Sequence, residues 1–361
     1  MDLLKGLNAE QKKAVTYEKG PLLIVAGAGT GKTTVITRRL AYLVEKELAR
    51  TDEILALTFT DKAAGEMEER IDTILPYGYI DLWISTFHSF CQRILKDYGL
   101  EIGLDPESKL LDDTGQWLLI RKNLEKFNLD YYKPLGNPTK FIRALIKHFG
   151  RLKDEAITPA EYNAFAQKLE LDSDNIEFIS RKTKDDSEAT DQEIMRIKEI
   201  AHAYHTYQKL LIDSGKLDFG DLINYTIKLL KERPAILKEL QTRFKYILVD
   251  EFQDTNWAQF ELVKLLAGKE KNITVVGDDD QSIYRFRGAS VSNILQFQEL
   301  YKNAKEVFLT INYRSKQNIL DLSYDFIQLN NPDRLEAKLS KKGFSKQLKA
   351  AQIGKGIIEY T

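Results

Sequence analysis

Apolar side chains along this chain fall into two rhythms. Unbroken runs rich in Leu, Ile and Val occupy residues 22–25, 53–60, 82–86, 244–249, 272–277 and 307–310, the pattern of strands buried on both faces. Between the earlier runs, residues 35–44, 61–75 and 89–98 repeat apolar positions three and four apart, as one face of a helix does. Residues 7–11 open a further amphipathic helix, with Asn8 as N-cap, since a short polar side chain there accepts from free backbone N–H groups. This alternation predicts an α/β fold, a parallel sheet with crossover helices. Ligands of such sheets bind beyond the carboxyl ends of the strands.

The rhythm changes over residues 99–207. Polar helical stretches at 116–127 and 140–152 alternate with turns at Pro134, Pro138 and Pro159, and no apolar run of the earlier kind occurs. The expectation is an all-helical subdomain inserted between two strands. Residues 181–193 carry no apolar side chain larger than alanine and read as a mobile loop, because such a stretch buries too little surface to offset its ordering entropy. Lys122, Lys126, Lys140, Arg143 and Lys147 form either a phosphate-facing surface or a solvated helix face.

The first apolar run leads into chemistry. Residues 22–34 read Leu-Leu-Ile-Val-Ala-Gly-Ala-Gly-Thr-Gly-Lys-Thr-Thr, a strand, a Gly-rich loop and a helix start. Backbone N–H groups of such a loop turn inward around phosphate oxygens, and the helix dipole adds to them. Lys32 is placed to reach the β and γ phosphates and the Thr33 hydroxyl to sit on Mg²⁺. Ala26 stands where the usual pattern has its first glycine, with Gly27 and Gly29 still supplying flexible backbone.

The run 244–249 ends in Asp250-Glu251-Phe252-Gln253-Asp254. Two adjacent carboxylates at the end of a buried strand cannot both face the core. Beside a phosphate loop the first holds Mg²⁺ and the second polarises the attacking water. The run 272–277 leads to Gln281, a residue type that in this setting senses a γ-phosphate. Tyr284 to Arg287 then alternates rings with arginines, which suits either unpaired nucleotides or a hairpin turning its two rings inward. Phe59 and residues 85–88 fall at other strand ends, and on local grounds Phe59 reads as core.

Composition narrows the class without adding a motif. A chain of 361 residues, 43% hydrophobic and 30% charged, is long enough for about two domains with sizeable cores. No apolar stretch approaches the ~20 residues of a membrane span, and the first eleven residues lack signal-peptide character, so a cytoplasmic location without a membrane partner is expected. The single cysteine, Cys91, excludes an internal disulfide and a cysteine-cluster zinc site. A net charge of −1 does not advertise nucleic acid, although a local basic groove escapes that sum. His202 and His205 have helical spacing, but no neighbouring motif completes a metal site.

Taken in order, these motifs resemble the superfamily-one DNA helicases of the UvrD, Rep and PcrA type, over nearly all of residues 7–328 and least over 99–207. Residues 7–11 look like the adenine-reading glutamine motif, 26–33 like the phosphate loop, 57–67 and 85–90 like DNA-contact motifs. Residues 249–256 look like the Mg²⁺ and water-activating motif and 278–289 like the coupling motif. Residues 312–315 resemble the motif that sets a tyrosine against adenine and an arginine near the γ-phosphate.

The resemblance implies a RecA-like fold in which Lys32, Asp250, Glu251, Gln281 and Arg314 carry ATP hydrolysis. It assigns nucleotide contacts to Gln11, Ala26, Gly27, Ala28, Gly29, Thr30, Gly31, Lys32, Thr33, Thr34, Arg38 and Tyr313, and Mg²⁺ to Thr33 and Asp250. It assigns single-stranded DNA to Phe59, Thr60, Thr86, His88, Tyr284, Phe286 and Arg287. Two positions depart from the pattern: Phe286 replaces a frequent tryptophan and offers a smaller stacking face, and Asp61 stands where asparagine is frequent.

The implied architecture is an ATP-binding domain in two parts, 1–98 and 208–308, a helical insertion at 99–207, and the start of a truncated second RecA-like domain at 309–361, with residues 357–361 just beginning a strand. The implied activity of the whole is 3′ to 5′ translocation and unwinding in DNA repair or replication, acting on single-stranded DNA and its junctions with duplex. Nucleotide binding would close a cleft between two halves, and hydrolysis at Asp250 and Glu251 would reopen it. Two alternatives accompany this reading: the motor part of a helicase-nuclease, and a nucleotide- and DNA-binding module inactive without further domains.

Overall fold

The computed structural model describes residues 2–75, 82–171, 187–282, 292–332, 334–338 and 345–358. The chain opens with α1 (Ala9–Val15), β1 (Leu22–Ala26), α2 (Lys32–Glu45), β2 (Ile54–Thr58), α3 (Asp61–Ile74), β3 (Trp83–Thr86) and α4 (Phe87–Tyr98). There follow β4 (Lys109–Leu110), α5 (Asp113–Lys122), α6 (Ile142–Asp154), α7 (Pro159–Leu171), α8 (Ser187–Asp213), β5 (Lys216–Leu217) and α9 (Phe219–Glu232). Next come α10 (Pro234–Arg243), β6 (Tyr246–Val249), α11 (Trp257–Leu266), β7 (Ile273–Gly277), α12 (Ser292–Leu300) and β8 (Lys305–Leu309). The last elements are β9 (Ile311–Lys316), α13 (Gln317–Ile327), α14 (Leu335–Lys338) and β10 (Lys349–Gln352).

The chain divides into two compact units, Met1–Phe90 with Arg233–Thr361, and Cys91–Glu232. The expected insertion at 99–207 lies inside the second.

The first unit is built on a six-stranded sheet in the order β3-β2-β6-β7-β1-β8, parallel throughout. Every residue of β1, β2, β6 and β7 is buried, as unbroken apolar runs require when helices cover both faces. Ile24 is in register with Val276 on one side and Val307 on the other. Side chains of α2 and α3, including Val35, Ile36, Leu40, Met67 and Ile71, pack into the same core. Removing one such side chain, as in Ile24→Ala, costs about 2–5 kcal/mol.

This strand order positions the site. β7 lies between β1 and β6, so three loops emerge side by side at one edge: the Gly-rich loop after β1, Asp250-Glu251 after β6, and residues 278–281 after β7. Neighbouring strands are about 4.8 Å apart, which brings all three within side-chain reach.

The second unit has its own core, in which Phe149 stacks on Tyr204 and Tyr207. Its helices α5 to α9 are joined by one short ladder, Lys109–Leu110 parallel to Lys216–Leu217, so the unit is helical except for this pair among the described residues. Lys216–Leu217 pairs as β5, and α9 starts two residues later at Phe219.

The loop expected at 181–193 requires correction. Residues 172–186 lie outside the described ones, and from Ser187 the chain is already helical, in α8. Its polar start is the first part of a helix whose apolar positions, Ile194, Ala201, Tyr204 and Leu211, come later and are buried. Of the strand expected at 357–361, residues 359–361 lie outside the described ones. Ile357 and Ile358 belong to no strand and are exposed, whereas Lys349–Gln352 forms β10 beside β9 in a sheet separate from the first.

Candidate nucleotide site

At the carboxyl edge of the first unit, a cavity of about 630 Å³ is lined by Gln11, Gly29, Gly31, Lys32, Thr33, Thr34, Arg38, Arg70, Glu251, Gln281, Tyr313 and Arg314, among others. That volume suits a small organic ligand, and four of the lining side chains are cationic. Gly31 caps α2, whose first turn carries no acidic residue, so its free N–H groups face the cavity as an anion site. Gly29 and Gly31 adopt φ +71° and +88°. A Cβ on Gly29 would fall 2.7 Å from Arg314 Cβ and 2.8 Å from Asn312 Nδ2, so only glycine fits that turn.

The loop is held from both sides. Thr30 Oγ1 donates to the Gly27 carbonyl at 2.8 Å. Asn312, buried, donates through Nδ2 to the Ala28 carbonyl at 2.6 Å, and the Tyr313 N–H donates to the Gly29 carbonyl at 2.9 Å. Ala26 is fully buried at the end of β1, supporting the loop from below. Gln11 is nearly enclosed: its Oε1 accepts from the Asn8 N–H at 3.1 Å and its Nε2 donates to the Thr30 carbonyl at 3.0 Å, which leaves one amide hydrogen for a ligand. Asn8 Nδ2 donates to the Tyr313 hydroxyl at 3.0 Å, so Gln11 and Tyr313 stand near one another. Arg38 donates to the carbonyls of Leu3 and Lys5.

Lys32, Glu251 and Gln281 meet directly. The Lys32 ammonium donates to Glu251 Oε2 at 2.7 Å and to Gln281 Oε1 at 3.2 Å. Glu251 itself adopts φ +48°, ψ +46°, a left-handed conformation that costs a residue with a side chain about 1–3 kcal/mol.

Gln253 completes a closed hydrogen-bonded ring. Its Nε2 donates to Glu251 Oε2 at 2.7 Å, and its Oε1 accepts from the Asp278 N–H at 2.9 Å. Asp278 Oδ2 accepts from Gln281 Nε2, and Gln281 Oε1 leads back to Lys32. A Cβ on Gly277 would come 2.8 Å from Gln253 Oε1, so glycine there makes room for the bond.

Asp250 is buried, and its Oδ1 accepts from the Glu251 N–H at 3.0 Å. Burial, and then the Glu251 carboxylate, push its pKa up to about 6, against the pull of that N–H and of Lys32 and Arg70. The Thr33 hydroxyl lies on the wall of this cavity and Asp250 on the wall of the cavity described next; hydroxyl and carboxylate oxygens are donors of the hard kind that Mg²⁺ takes. The residues present therefore fit a Mg²⁺-bound triphosphate.

A second cavity of about 490 Å³ is lined by Thr58, Phe59, Thr60, Ala63, Asp250, Glu251, Gln253, Asp254, Asp280 and Gln281. Phe59, which locally reads as core, is half-buried and on this cavity's wall. Thr60 also caps α3, accepting from the Ala63 N–H. Thr86 and His88 line neither cavity: Thr86 bonds Ser89 at the start of α4, and burial holds His88 below its usual pKa. Tyr284, Phe286 and Arg287 lie outside the described residues.

Sequence reasoning passed over Gln253, Arg70 and Asn312 as single residues. Gln253 and Asn312 stand inside the motifs at residues 249–256 and 312–315. Arg70, on α3 next to the buried Ile71, gives no local signal, because its helix spacing says only that it lies beside the core face. No group of histidine, cysteine and carboxylate side chains among the described residues forms a metal site, His202 and His205 included. None of their helices is long and apolar enough to cross a membrane.

Comparison with known proteins agrees with this geometry. Residues 7–302 match the family described as UvrD/REP helicase N-terminal domain. The chain is 43% identical over 332 residues to the ATP-dependent DNA helicase PcrA of Staphylococcus aureus strain Mu50, covering 92% of this chain and 41% of that protein. It is 43% identical over 329 residues to PcrA of Staphylococcus epidermidis strain ATCC 12228, covering 91% of this chain and again 41% of the relative. The chain thus spans less than half the length of these relatives. With a phosphate-type loop, an acidic strand end and a glutamine gathered at one sheet edge, the chain belongs to the UvrD/REP helicase family.

Proposed function

We propose that the intact protein hydrolyses ATP to move 3′ to 5′ along single-stranded DNA and to part duplex at its junctions, working in the cytoplasm in repair or replication. The observation that carries this reading is that Glu251 and Gln281 line both cavities. One wall of each cavity is therefore the same pair of side chains, and a shift of either side chain is felt on both sides.

On the nucleotide side, Thr33 and Asp250 would hold Mg²⁺, which would draw charge from the phosphates and leave them open to attack by water. Lys32, Arg70 and Arg314 offer cations to the phosphate oxygens, with Arg38 beside them, and a cation aimed at charge that grows during transfer accelerates the reaction. Gln11 and Tyr313 flank the base. Glu251 accepts a proton from the attacking water once Lys32 turns from it toward phosphate.

On the other side, the Phe59 ring offers a stacking face for a base and Thr60 a hydroxyl for the backbone. Contacts of Tyr284, Phe286 and Arg287 with single-stranded DNA are proposed on the resemblance alone. β9 and β10, in a sheet of their own, support reading 309–361 as the first part of a second RecA-like domain, after an ATP-binding domain placed at 1–98 and 208–308, of which residues 91–98 and 208–232 fall in the helical unit.

The test is ATP turnover by the intact protein with and without single-stranded DNA, together with unwinding of duplexes tailed at either end. Stimulation by DNA and a preference for 3′ tails are expected. Turnover indifferent to DNA would overturn the motor reading, and unwinding only from 5′ tails would overturn the polarity.

A further inference from the structure

Behind the ring of Lys32, Glu251, Gln253, Asp278 and Gln281 stands a second set of charges drawn from a distant part of the chain. Asp278 is buried, and while its Oδ2 accepts from Gln281, its Oδ1 accepts from the Lys346 ammonium. Lys346 also donates to Asp279 Oδ1 at 2.6 Å and lies 2.8 Å from Asp280 Oδ2. Arg334 grips both oxygens of Asp280 at 2.8 Å, and the Leu335 N–H donates to Asp279 Oδ2 at 2.7 Å. Three consecutive carboxylates are thus gathered on one lysine that is only 8% exposed.

We propose that Lys346 is a positioning residue for hydrolysis: by fixing the Asp278 carboxylate it sets the amide of Gln281 with its carbonyl oxygen toward the phosphate cavity. This rests on the reading of that cavity as an ATP site. An ionised carboxylate only accepts hydrogen bonds, so the edge of the Gln281 amide that meets Asp278 has to be the NH₂ edge. Oε1 is thereby left facing Lys32, and when a phosphate claims that ammonium, the same oxygen accepts from the attacking water.

Without Lys346 the three carboxylates would repel one another in a poorly solvated place. They would then move apart, and a displaced Asp278 no longer dictates which way the amide points. Burial disfavours a charged Lys346, yet the three aspartates hold its pKa above the usual lysine value, so it remains a cation throughout the working range of pH.

The experiment uses the full-length protein and steady-state ATP hydrolysis in the presence of single-stranded DNA. Lys346→Met should lower kcat about tenfold with KM changed by less than about twofold, the signature of misplacement rather than lost binding. Lys346→Arg should retain most of the rate. Gln281→Ala should be costly alone yet add less than about a further twofold to Lys346→Met, because both act on one interaction.

A Lys346→Met protein with normal kcat, or losses that multiply with those of Gln281→Ala, would overturn the proposal. Should Lys346→Met fail to fold, Asp278→Asn decides, since a neutral amide can face Gln281 either way round: reduced kcat supports the assignment and an undiminished kcat refutes it. Titration of the wild-type protein with Mg·ATP separates the two levels. Absence of binding sinks the nucleotide reading itself, whereas normal wild-type turnover with an equally active Lys346→Met protein sinks only the role of Lys346.

Discussion

Lys32 in the first unit and Lys153 in the second each meet a carboxylate at nearly the same distance, 2.7 Å to Glu251 and 2.6 Å to Asp218. Their surroundings differ. Lys32 itself is only 9% exposed, but the Glu251 side chain is 36% exposed on a cavity wall, so the pair keeps water on one side and a phosphate can replace its carboxylate. Lys153 is 2% exposed and has a second carboxylate, Asp221, at 2.8 Å. The Tyr207 hydroxyl lies 2.9 Å from Asp218 and its ring 5.2 Å from the ammonium. At Gly220 a Cβ would sit 2.7 Å from Lys153 Cβ, so even the backbone there is shaped to admit the lysine. The contrast separates a charge held for exchange from a charge sealed into a fold. Breaking a sealed pair strands an ion without water, while an open pair parts at little cost.

The sharpest way to break the comparison is to remove the exchangeable pair one member at a time. Glu251→Gln should lower ATP turnover by about 10²–10⁴, and Lys32→Ala by about 10²–10³ or more. Glu251→Gln should still bind Mg·ATP. Neither should shift the unfolding free energy by more than about 1 kcal/mol, since one partner of the bond they share, Glu251, keeps access to solvent. Turnover and equilibrium nucleotide titration, read beside a urea unfolding curve, check all of this. Normal hydrolysis by Glu251→Gln would remove Glu251 as the base.

The sealed cluster should respond in the opposite way. Lys153→Met leaves Asp218 and Asp221 buried side by side, and about 3–5 kcal/mol of stability should be lost from the second unit. Nucleotide affinity should stay within about twofold, because the residues that line the nucleotide cavity all belong to the other unit. Trp117 is the one tryptophan of the second unit. Its fluorescence, in a chain with Trp83 and Trp257 replaced by Phe, follows that unit alone. A loss below about 1 kcal/mol would mean that the cluster is not sealed in solution.

How much of this could be read beforehand follows from how local each signal is. The strands β1, β2, β6 and β7 are buried on both faces, and a run such as Leu22 to Val25 announces that by itself. Lys32, Glu251 and Gln281 were legible because each stands within seven residues after such a run and its neighbours in the chain carry its motif. Lys346 was not, since it is one of several lysines close together in the chain and its partner Asp278 is 68 positions away. Lys153 was equally hidden, ending a helix whose other basic residues are exposed. α8 was misread at its start because its first residues are polar and only later turns reach the core. Sequence thus reports what a residue's neighbours in the chain demand, and says little where charges from distant segments converge.

The smallest effect tests whether the sealed cluster is fully ionised. Asp221 is buried beside Lys153 and Asp218, and burial, with Asp218 adding to it and Lys153 opposing it, raises its pKa to about 6. A carboxyl group whose folded pKa lies above its unfolded value, about 4, binds its proton more tightly in the folded chain. Its contribution to stability is therefore complete below pH about 4 and is lost as pH rises through about 6. Other groups titrate too, so the diagnostic is the difference from Asp221→Asn, which cannot take part. Between pH 4.5 and 7, the stability of the second unit, followed by Trp117, should fall relative to Asp221→Asn by about 1–2 kcal/mol. Parallel curves for the two proteins would mean that Lys153 holds Asp221 charged throughout, making the cluster a compact set of three full ions; the converging curves expected here mean that its proton is shared with the solvent near pH 6.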